Sequence, residues 1–226
     1  MTGAMFDGRE MSMLHDMFRR EFALMPGLVR AVAQGDHERV AVVSSHIGNV
    51  STDLHHHHVG EDMFVWPLLL ERCADECGPL VNLMENQHEA VAALVDEVAE
   101  SLAAWRGSFA FGDQEALAGA LDRLIPVLKE HLHAEEEHVV PLMEKHIPAA
   151  EWDEIVQKGA VNADPDTMPL TFGMLMYEAD AEVVENAIAK MPPEVQPIIR
   201  RIAPQAYATH AQLIHGTPTP PRSTEM

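Results

Sequence analysis

Apolar residues recur three or four positions apart through most of the chain, and no stretch alternates convincingly between apolar and polar residues as a strand would. This spacing predicts four long helices, over about residues 11–34, 37–72, 80–105 and 114–146. Gly35-Asp36, Gly78-Pro79 and the glycine-containing segment 106–113 mark the breaks between them. Long helices joined by short connections predict an all-α fold, an up-down-up-down four-helix bundle.

The pattern predicts shorter helices after the bundle, over about 148–158, 170–190 and 194–214, with a linker at 161–169 and a break at Pro192-Pro193. We therefore divide the chain into a bundle at 1–147, a helical extension at 148–215 and a disordered tail at 216–226. The extension is too apolar for a free helical hairpin. It is expected to pack on the bundle as a lid near one end, or on a second chain, so monomer and homodimer are both open.

The charge of the chain limits its partners. The formal net charge is -21, from 36 acidic and 15 basic residues, and such a surface repels the phosphates of nucleic acids and anionic membranes. The sequence shows neither an apolar run long enough to span a membrane nor a secretory signal pattern, which favours a cytoplasmic location. Cys73 and Cys77, one helical turn apart, are expected to be reduced.

Histidine is unusually frequent, with 14 residues in 226. Two stretches repeat the pattern His-x3-Glu-x5-Pro: one begins at His57, with Glu61 and then Pro67, and the other runs from His131 through Glu135 to Pro141. Residues four apart share a helix face and lie about 6 Å apart. A histidine and a carboxylate in this arrangement can hold one metal ion or bridge two.

His15 on the first helix and His88 on the third lie at nearly the same distance from the intervening turns as the two repeats do, within a few ångströms at about 1.5 Å rise per residue. A single inward histidine is more often a hydrogen-bonded core residue than a ligand. Several at one height, on stripes where an unpaired polar group would be costly, favour a metal site. The sequence therefore predicts six metal ligands: His15, His57, Glu61, His88, His131 and Glu135.

Other polar residues lie near the same stripes. His133 with Glu137 repeats the His-x3-Glu spacing, but on a less apolar face. The sequence leaves open whether His46, His138 or Glu136 contacts an ion directly. The histidines interpreted as surface groups or as partners behind the ligands are His55, His56 and His58.

These motifs together resemble the hemerythrin-like (HHE) domain over about residues 10–146. The resemblance rests on His15-Asp16, on the repeat from His57 with its continuation EDMFVWP, on His88-Glu89 and on the stretch from His131 to Glu136. The extension is loosely similar to the helical extensions of actinobacterial hemerythrin-like proteins. The resemblance implies two non-haem iron ions with an oxo or hydroxo bridge, with manganese or zinc as alternative occupants. It also implies Glu61 and Glu135 as bridging carboxylates and the four histidines as terminal ligands.

The sequence departs from the oxygen-carrying members of that family at two positions. Ala92 stands where they have a second histidine on the third helix, and Glu136 where they have an aspartate on the fourth. A missing imidazole would leave a position open, which favours reaction with hydrogen peroxide, NO or O2 over simple reversible O2 carriage. Two functions stay open: an oxidoreductase that consumes peroxide or NO, and a protein that binds or senses O2 or iron without turnover.

Overall fold

The computed structural model describes residues 3–159 and 166–225, which fold into helices and turns with one isolated bridge between Met5 and Pro148. The prediction of an all-α fold is confirmed. Most of the predicted linker at 161–169 lies outside the described residues. The helices are α1 (Arg9–Arg30), α2 (His37–Gly60), a π-helical turn (Glu61–Val65), α3 (Trp66–Ser108), α4 (Phe111–His138), α5 (Val140–His146), α6 (Ala149–Gly159), α7 (Met168–Met176), α8 (Ala181–Ala189) and α9 (Gln196–His215), followed by a short 3-10 turn (Ser223–Glu225).

The bundle consists of α1, α2, the second part of α3 and α4, which bury one continuous apolar core. The turn between α1 and α2 follows the sequence signals: Gly35 adopts a positive φ of 85°, and the Asp36 side chain accepts a hydrogen bond of 2.9 Å from the Arg39 N–H. Such a cap stabilises a helix by about 1 kcal/mol. None of the described helices combines the length and hydropathy needed to cross a membrane.

The break between the second and third bundle helices lies at Cys73, five residues before the predicted turn at Gly78-Pro79. Cys73 has non-helical backbone angles (φ -145°, ψ 39°), and Pro79 lies inside the helix that follows. The expectation of reduced thiols is also wrong in this structure, where a disulfide joins Cys73 to Cys77. The kink explains the disulfide, because the two Cα atoms are held 5.6 Å apart there, within the range that a disulfide spans.

Both His-x3-Glu-x5-Pro repeats interrupt the regular α-helix between the glutamate and the proline. After the first repeat the Trp66 N–H donates to the carbonyl of Glu61, five residues back, which makes a π turn. After the second, α4 ends at His138 and α5 begins at Val140. Proline lacks an N–H and its ring collides with the carbonyl four residues before it, so a wider turn or a break must precede it.

The extension lies lengthwise along α1 and α2 rather than as a lid at one end. Lys190 reaches Glu10 near the start of α1 at 2.8 Å, whereas Arg39 near the start of α2 donates to the carbonyls of Leu213 and Ile214. These two places lie at opposite ends of the bundle because α1 and α2 run in opposite directions. The extension is therefore a side layer. Its apolar residues are spread along α7, α8 and α9, so burying them requires a long surface of the bundle.

Within the extension, α7 and α9 approach closely. A side chain at Gly173 would place its Cβ 2.2 Å from the carbonyl oxygen of Ala203, so only glycine fits there. The helix predicted at 170–190 is divided into α7 and α8, because Asp180 caps the start of α8. The tail, predicted to be disordered, has contacts in this structure: Ser223 donates to the carboxylate of Glu178, and the Tyr177 hydroxyl donates to the carbonyl of Pro220.

Candidate metal centre

All six ligands predicted from the sequence converge inside the bundle, where α1, α2, α3 and α4 meet. A seventh side chain, His58, joins them. We call this set the central site. It comprises His15, His57, His58, Glu61, His88, His131 and Glu135.

One half of the central site is formed by α1 and α2. The Nε2 atoms of His15 and His57 face each other at 3.2 Å. Glu135 Oε2 lies 3.4 Å from His15 Nε2, and Glu61 Oε1 lies 3.5 Å from His57 Nε2. Nitrogen and oxygen ligands about 2.0–2.2 Å from one ion stand about 3–3.5 Å apart, so this half has the spacing of a metal-binding group.

The other half brings together the rings of His58, His88 and His131. His58 stacks on His88 with ring centres 4.2 Å apart, and His131 meets both rings edge-on at 4.8–4.9 Å. Glu61 Oε2 lies 3.4 Å from His88 Nε2, and Glu135 Oε2 lies 3.9 Å from His131 Nε2. Each carboxylate therefore stands between the two groups of imidazoles.

The polar atoms at the middle of the central site have no hydrogen-bond partner in the protein. They are both carboxylate oxygens of Glu61, both of Glu135, and Nε2 of His58, His88 and His131. Leaving a buried polar atom unpaired costs about 1–3 kcal/mol, and more for a charged group. The donor set fits metal ions, because a bound cation would satisfy all of these atoms at once.

Burial also sets the ionisation of these groups in the metal-free chain. It raises the pKa of Glu61 to about 8 and the pKa of Glu135 well above its usual value, where the Glu61 charge adds to the effect. It lowers the pKa of His131 to about 3 and that of His57 well below the ordinary value, with the neighbouring imidazoles adding to the shift. His57 and His131 are therefore neutral at pH 7, which is the form that binds metal.

Three of the imidazoles are oriented by an acceptor at their outer nitrogen. His15 Nδ1 is paired with Glu136 at 2.9 Å and His88 Nδ1 with Asp62 at 2.8 Å. His131 Nδ1 lies 3.2 Å from the side-chain oxygen of Gln87. Such pairs fix the tautomer and turn the other ring nitrogen toward the metal position.

The same contacts answer the question left open at Glu136. Its carboxylate faces outward from the central site and binds Arg19 at 2.7 Å as well as His15. Burial alone would raise the pKa of Glu136, but the hydrogen bonds from His15 and Arg19 lower it to about 2. Glu136 therefore positions His15 from behind.

The rival repeat lies on the surface, where His133 Nε2 is 3.3 Å from the Glu137 carboxylate and the His133 side chain is 73% exposed. His138 is also exposed and lies beside the same glutamate. His46 is buried in a different cluster, with Glu21 and His215. None of these three histidines reaches the central site.

For His58, the structure excludes one of the two sequence-based interpretations, a position on the surface. The side chain is only 7% exposed, and its ring faces α3. The signal was present in the sequence, since His58 follows the buried Leu54 by one helical turn. The central site thus contains five imidazoles, and the fifth comes from α2 rather than from position 92 on α3.

A cavity of about 890 Å³ opens between α2 and α3 beside the central site. His58 and His88 form part of its wall, and Ala92 contributes where a larger side chain would project into it. The rest of the wall includes apolar side chains such as Leu54 and Val95. The cavity can bring a small molecule to the imidazoles of one half of the site.

The imidazoles and unpaired carboxylates buried at one level of the bundle place this protein in the class of metal-binding helical bundles. The comparisons with known proteins narrow the class: the family model for the hemerythrin HHE cation binding domain matches residues 9–143, and the chain belongs to this family. It is similar to an uncharacterized hemerythrin-like protein of Schizosaccharomyces pombe, at 27% identity over 99 residues. That alignment covers 44% of this chain and 44% of the relative, less than half of either. No solved structure matches the chain.

Proposed function

We propose that the central site holds two non-haem iron ions and reacts with a small oxidant or diatomic ligand, namely hydrogen peroxide, NO or O2. One observation carries the proposal: Glu61 and Glu135 each stand between two groups of imidazoles, with all their oxygens unpaired by the protein. A carboxylate so placed suits a bridge between two ions. Hemerythrin-like domains typically bind iron.

The donor set also favours iron over the alternatives. Manganese prefers sites made mostly of oxygen ligands, and structural zinc is usually bound singly by four ligands in a closed tetrahedron. Five imidazoles with two shared carboxylates, projecting inward from four helices, are closer to the carboxylate-bridged di-iron bundles. His15 and His57 would hold one ion, and the histidines that hold the other would be His58, His88 and His131.

The protein itself binds, orients and shields. Glu136, Asp62 and Gln87 fix three imidazoles, and the apolar core around them excludes water from most of the site. The cavity beside His58 and His88 gives a small ligand access from one side. When bound, the iron pair would supply the electrons that reduce the oxidant and would itself be oxidised, so turnover also requires an electron donor, which for peroxide can be a second peroxide molecule.

A second candidate is a protein that binds or senses O2 or iron without turnover. The extension favours it, because α7 and α9 pack on α1 and α2, the helices that carry His15 and His57. A change in metal occupancy would shift α1 and α2, and through them the layer of α7 and α9 that covers them. Turnover of peroxide or NO separates the two candidates: the enzyme consumes its substrate catalytically, whereas the sensor binds it once.

The experiment that tests the site is metal loading with iron(II) under anaerobic conditions, followed by metal analysis. We expect about two iron atoms per chain. Glu61→Ala and Glu135→Ala should each lose most of this iron, because a bridge contacts both ions. The matched controls are the exposed His56→Ala and His133→Ala, which should keep it. One iron or none in the wild type, or equal iron in all four variants, would contradict the proposal.

A further inference from the structure

We propose that Glu21, His46 and His215 form a second metal site, for a single divalent transition-metal ion, where the last helix meets the bundle. We call it the α9 site, since His215 ends α9, whereas Glu21 lies on α1 and His46 on α2. Their side chains are 0%, 1% and 5% exposed. Glu21 Oε2 lies 3.3 Å from His46 Nε2 and 3.3 Å from His215 Nε2.

These distances suit metal ligation. Bonds of about 2.0–2.1 Å in a tetrahedron place neighbouring ligand atoms about 3.3–3.4 Å apart. The three ligand atoms here lie within 4.8 Å of one another, so an ion can reach all three with small movements of the rings. Two imidazoles and one carboxylate suit zinc or a chemically similar divalent ion, with a fourth position left for water.

Neighbouring side chains occupy the other polar atoms of Glu21 and His46, which leaves their ligand atoms free to face the proposed metal position. The other carboxylate oxygen of Glu21 accepts hydrogen bonds of 2.9 Å from Arg20 and from the Tyr207 hydroxyl. The other ring nitrogen of His46, Nδ1, is paired with His210 Nε2 at 3.1 Å. Such outer partners are typical of ligated carboxylates and histidines, where they fix the orientation of the group.

The second observation that points to a ligand is His46 Nε2. This atom is buried and has no hydrogen-bond partner, although Glu21 Oε2 is only 3.3 Å away, because the ring N–H direction does not point at that oxygen. A hydrogen bond needs that alignment, and a metal ion placed off the line between the two atoms does not.

The rival explanation is a proton. Arg20 is paired with two buried carboxylates, those of Glu21 and Glu178, so a protonated imidazole could balance the second of them. A protonated histidine and a metal ion make opposite demands on His215. A proton-bearing ring only has to donate a hydrogen bond to Glu21, whereas a ligand ring has to present a lone pair.

His215→Gln separates these explanations, because the glutamine amide can still donate to Glu21 but lacks a good nitrogen ligand. The full chain is first loaded with iron at the central site and then titrated with Co²⁺, which stands in for zinc and absorbs visibly in a tetrahedral site. The wild type should bind one further ion per chain, with a rise in Tm. His215→Gln should weaken Co²⁺ binding at least about 100-fold and abolish the rise in Tm. The matched control is His37→Gln, at an exposed position on α2, which should behave as the wild type does.

Circular dichroism establishes that the variant is folded, and His46→Gln repeats the test on another helix if it is not. A wild-type chain that binds no Co²⁺ beyond the iron-loaded central site would overturn the proposal. So would equal Co²⁺ affinity in the wild type and in His215→Gln. Neither result depends on whether the central site turns over an oxidant.

Discussion

The central site and the α9 site bury the same kinds of side chain and treat their carboxylates in opposite ways. At the central site, the oxygens of Glu61 and Glu135 have no protein donor, and burial raises the pKa of both carboxyls. At the α9 site, burial would raise the pKa of Glu21 too, but the hydrogen bond from His215, the nearby imidazole of His46 and the charge of Arg20 lower it well below its usual value. The carboxylates of the central site rely on a cation from outside, whereas Glu21 already has Arg20 beside it and would accept a metal ion in addition.

The difference teaches that burial alone does not decide how strongly a cluster depends on a metal ion; the number of hydrogen-bond donors that the protein supplies to its carboxylates decides it. Without metal, the carboxyls of the central site are most stable when protonated. Glu21 stays ionised whether or not a metal is bound, because Arg20 lies beside it. We therefore expect the central site to depend on its metal, and the α9 site to persist as a packed cluster without it.

The largest expected effect is on stability when each carboxylate is replaced by its amide. Glu21→Gln should lower the free energy of unfolding by about 3 kcal/mol, since it leaves the buried Arg20 short of one counter-charge. Glu135→Gln in chelator-treated protein should be neutral or stabilising, because the carboxyl it replaces is already protonated. Urea denaturation of both variants measures this, and similar losses in the two would break the comparison.

The next effect is on the pH dependence of the metal-free chain. Because the folded pKa of Glu61 is raised to about 8, its contribution to stability is complete below its unfolded pKa and is lost as the pH rises through 8. The metal-free protein should therefore lose about 2 kcal/mol between pH 6.5 and pH 8, at about 1.4 kcal/mol per unit for one carboxyl. His57, His58 and His131 have lowered pKa values, so their contribution to stability is lost only below about pH 6.5.

The iron-loaded chain should show little of this slope, since bound metal keeps Glu61 ionised at every pH in the interval. Glu61→Gln should remove the part due to Glu61 from the metal-free chain. Denaturation curves at pH 6.5, 7.2 and 8 measure both. A metal-free protein as stable at pH 8 as at pH 6.5 would show that the unpaired carboxyls are not protonated.

A smaller effect concerns His58, the fifth imidazole. His58→Ala should weaken metal binding at the central site by at least about tenfold, since its Nε2 has no protein partner. The matched control is His55→Ala, at an exposed position three residues earlier on the same helix. Competition with a chelator of known affinity gives the ratio. If the two variants bind metal equally, His58 is a packing residue.

The smallest effect is expected at Ala92, which lines the cavity beside His58 and His88. Ala92→His should fill part of the cavity and slow the reaction with peroxide or NO by several-fold, while leaving the iron content unchanged. Stopped-flow traces of the iron-loaded variant and wild type provide the measurement. An unchanged rate would show that the ligand reaches the site by another route.

The bundle and the convergence of the six predicted ligands could be predicted from the sequence because they depend on local spacing. His57 and Glu61 share a helix face whatever lies around them, and the same holds for His131 and Glu135. The position of the break at Cys73 could not be predicted, since Gly78 and Pro79 carry the stronger local signal and the helix nevertheless continues through both. Local propensity was overridden there by packing.

The α9 site was missed for a different reason. His46 was recognised as near the inward stripe, but Glu21 and His215 are separated by 194 residues, and no local pattern relates them. Glu21 did carry a signal, since the buried Met17 and Met25 lie one turn before and after it. His58 was missed because it follows His57 directly, and adjacent residues on a helix point about 100° apart. The two rings face different neighbours, His57 toward α1 and His58 toward α3.

The long sequence separation between Glu21 and its partners also determines when the α9 site can form during protein synthesis. A ribosome adds about 5–20 residues per second, so roughly 10–40 s pass between the synthesis of Glu21 and that of His215. Arg20 is made next to Glu21, whereas Tyr207 and His215 follow only after all four bundle helices. During that interval a side chain buried in the finished protein stays in contact with water or with a chaperone. The emerging bundle thus acquires its side layer only after its own four helices have been made.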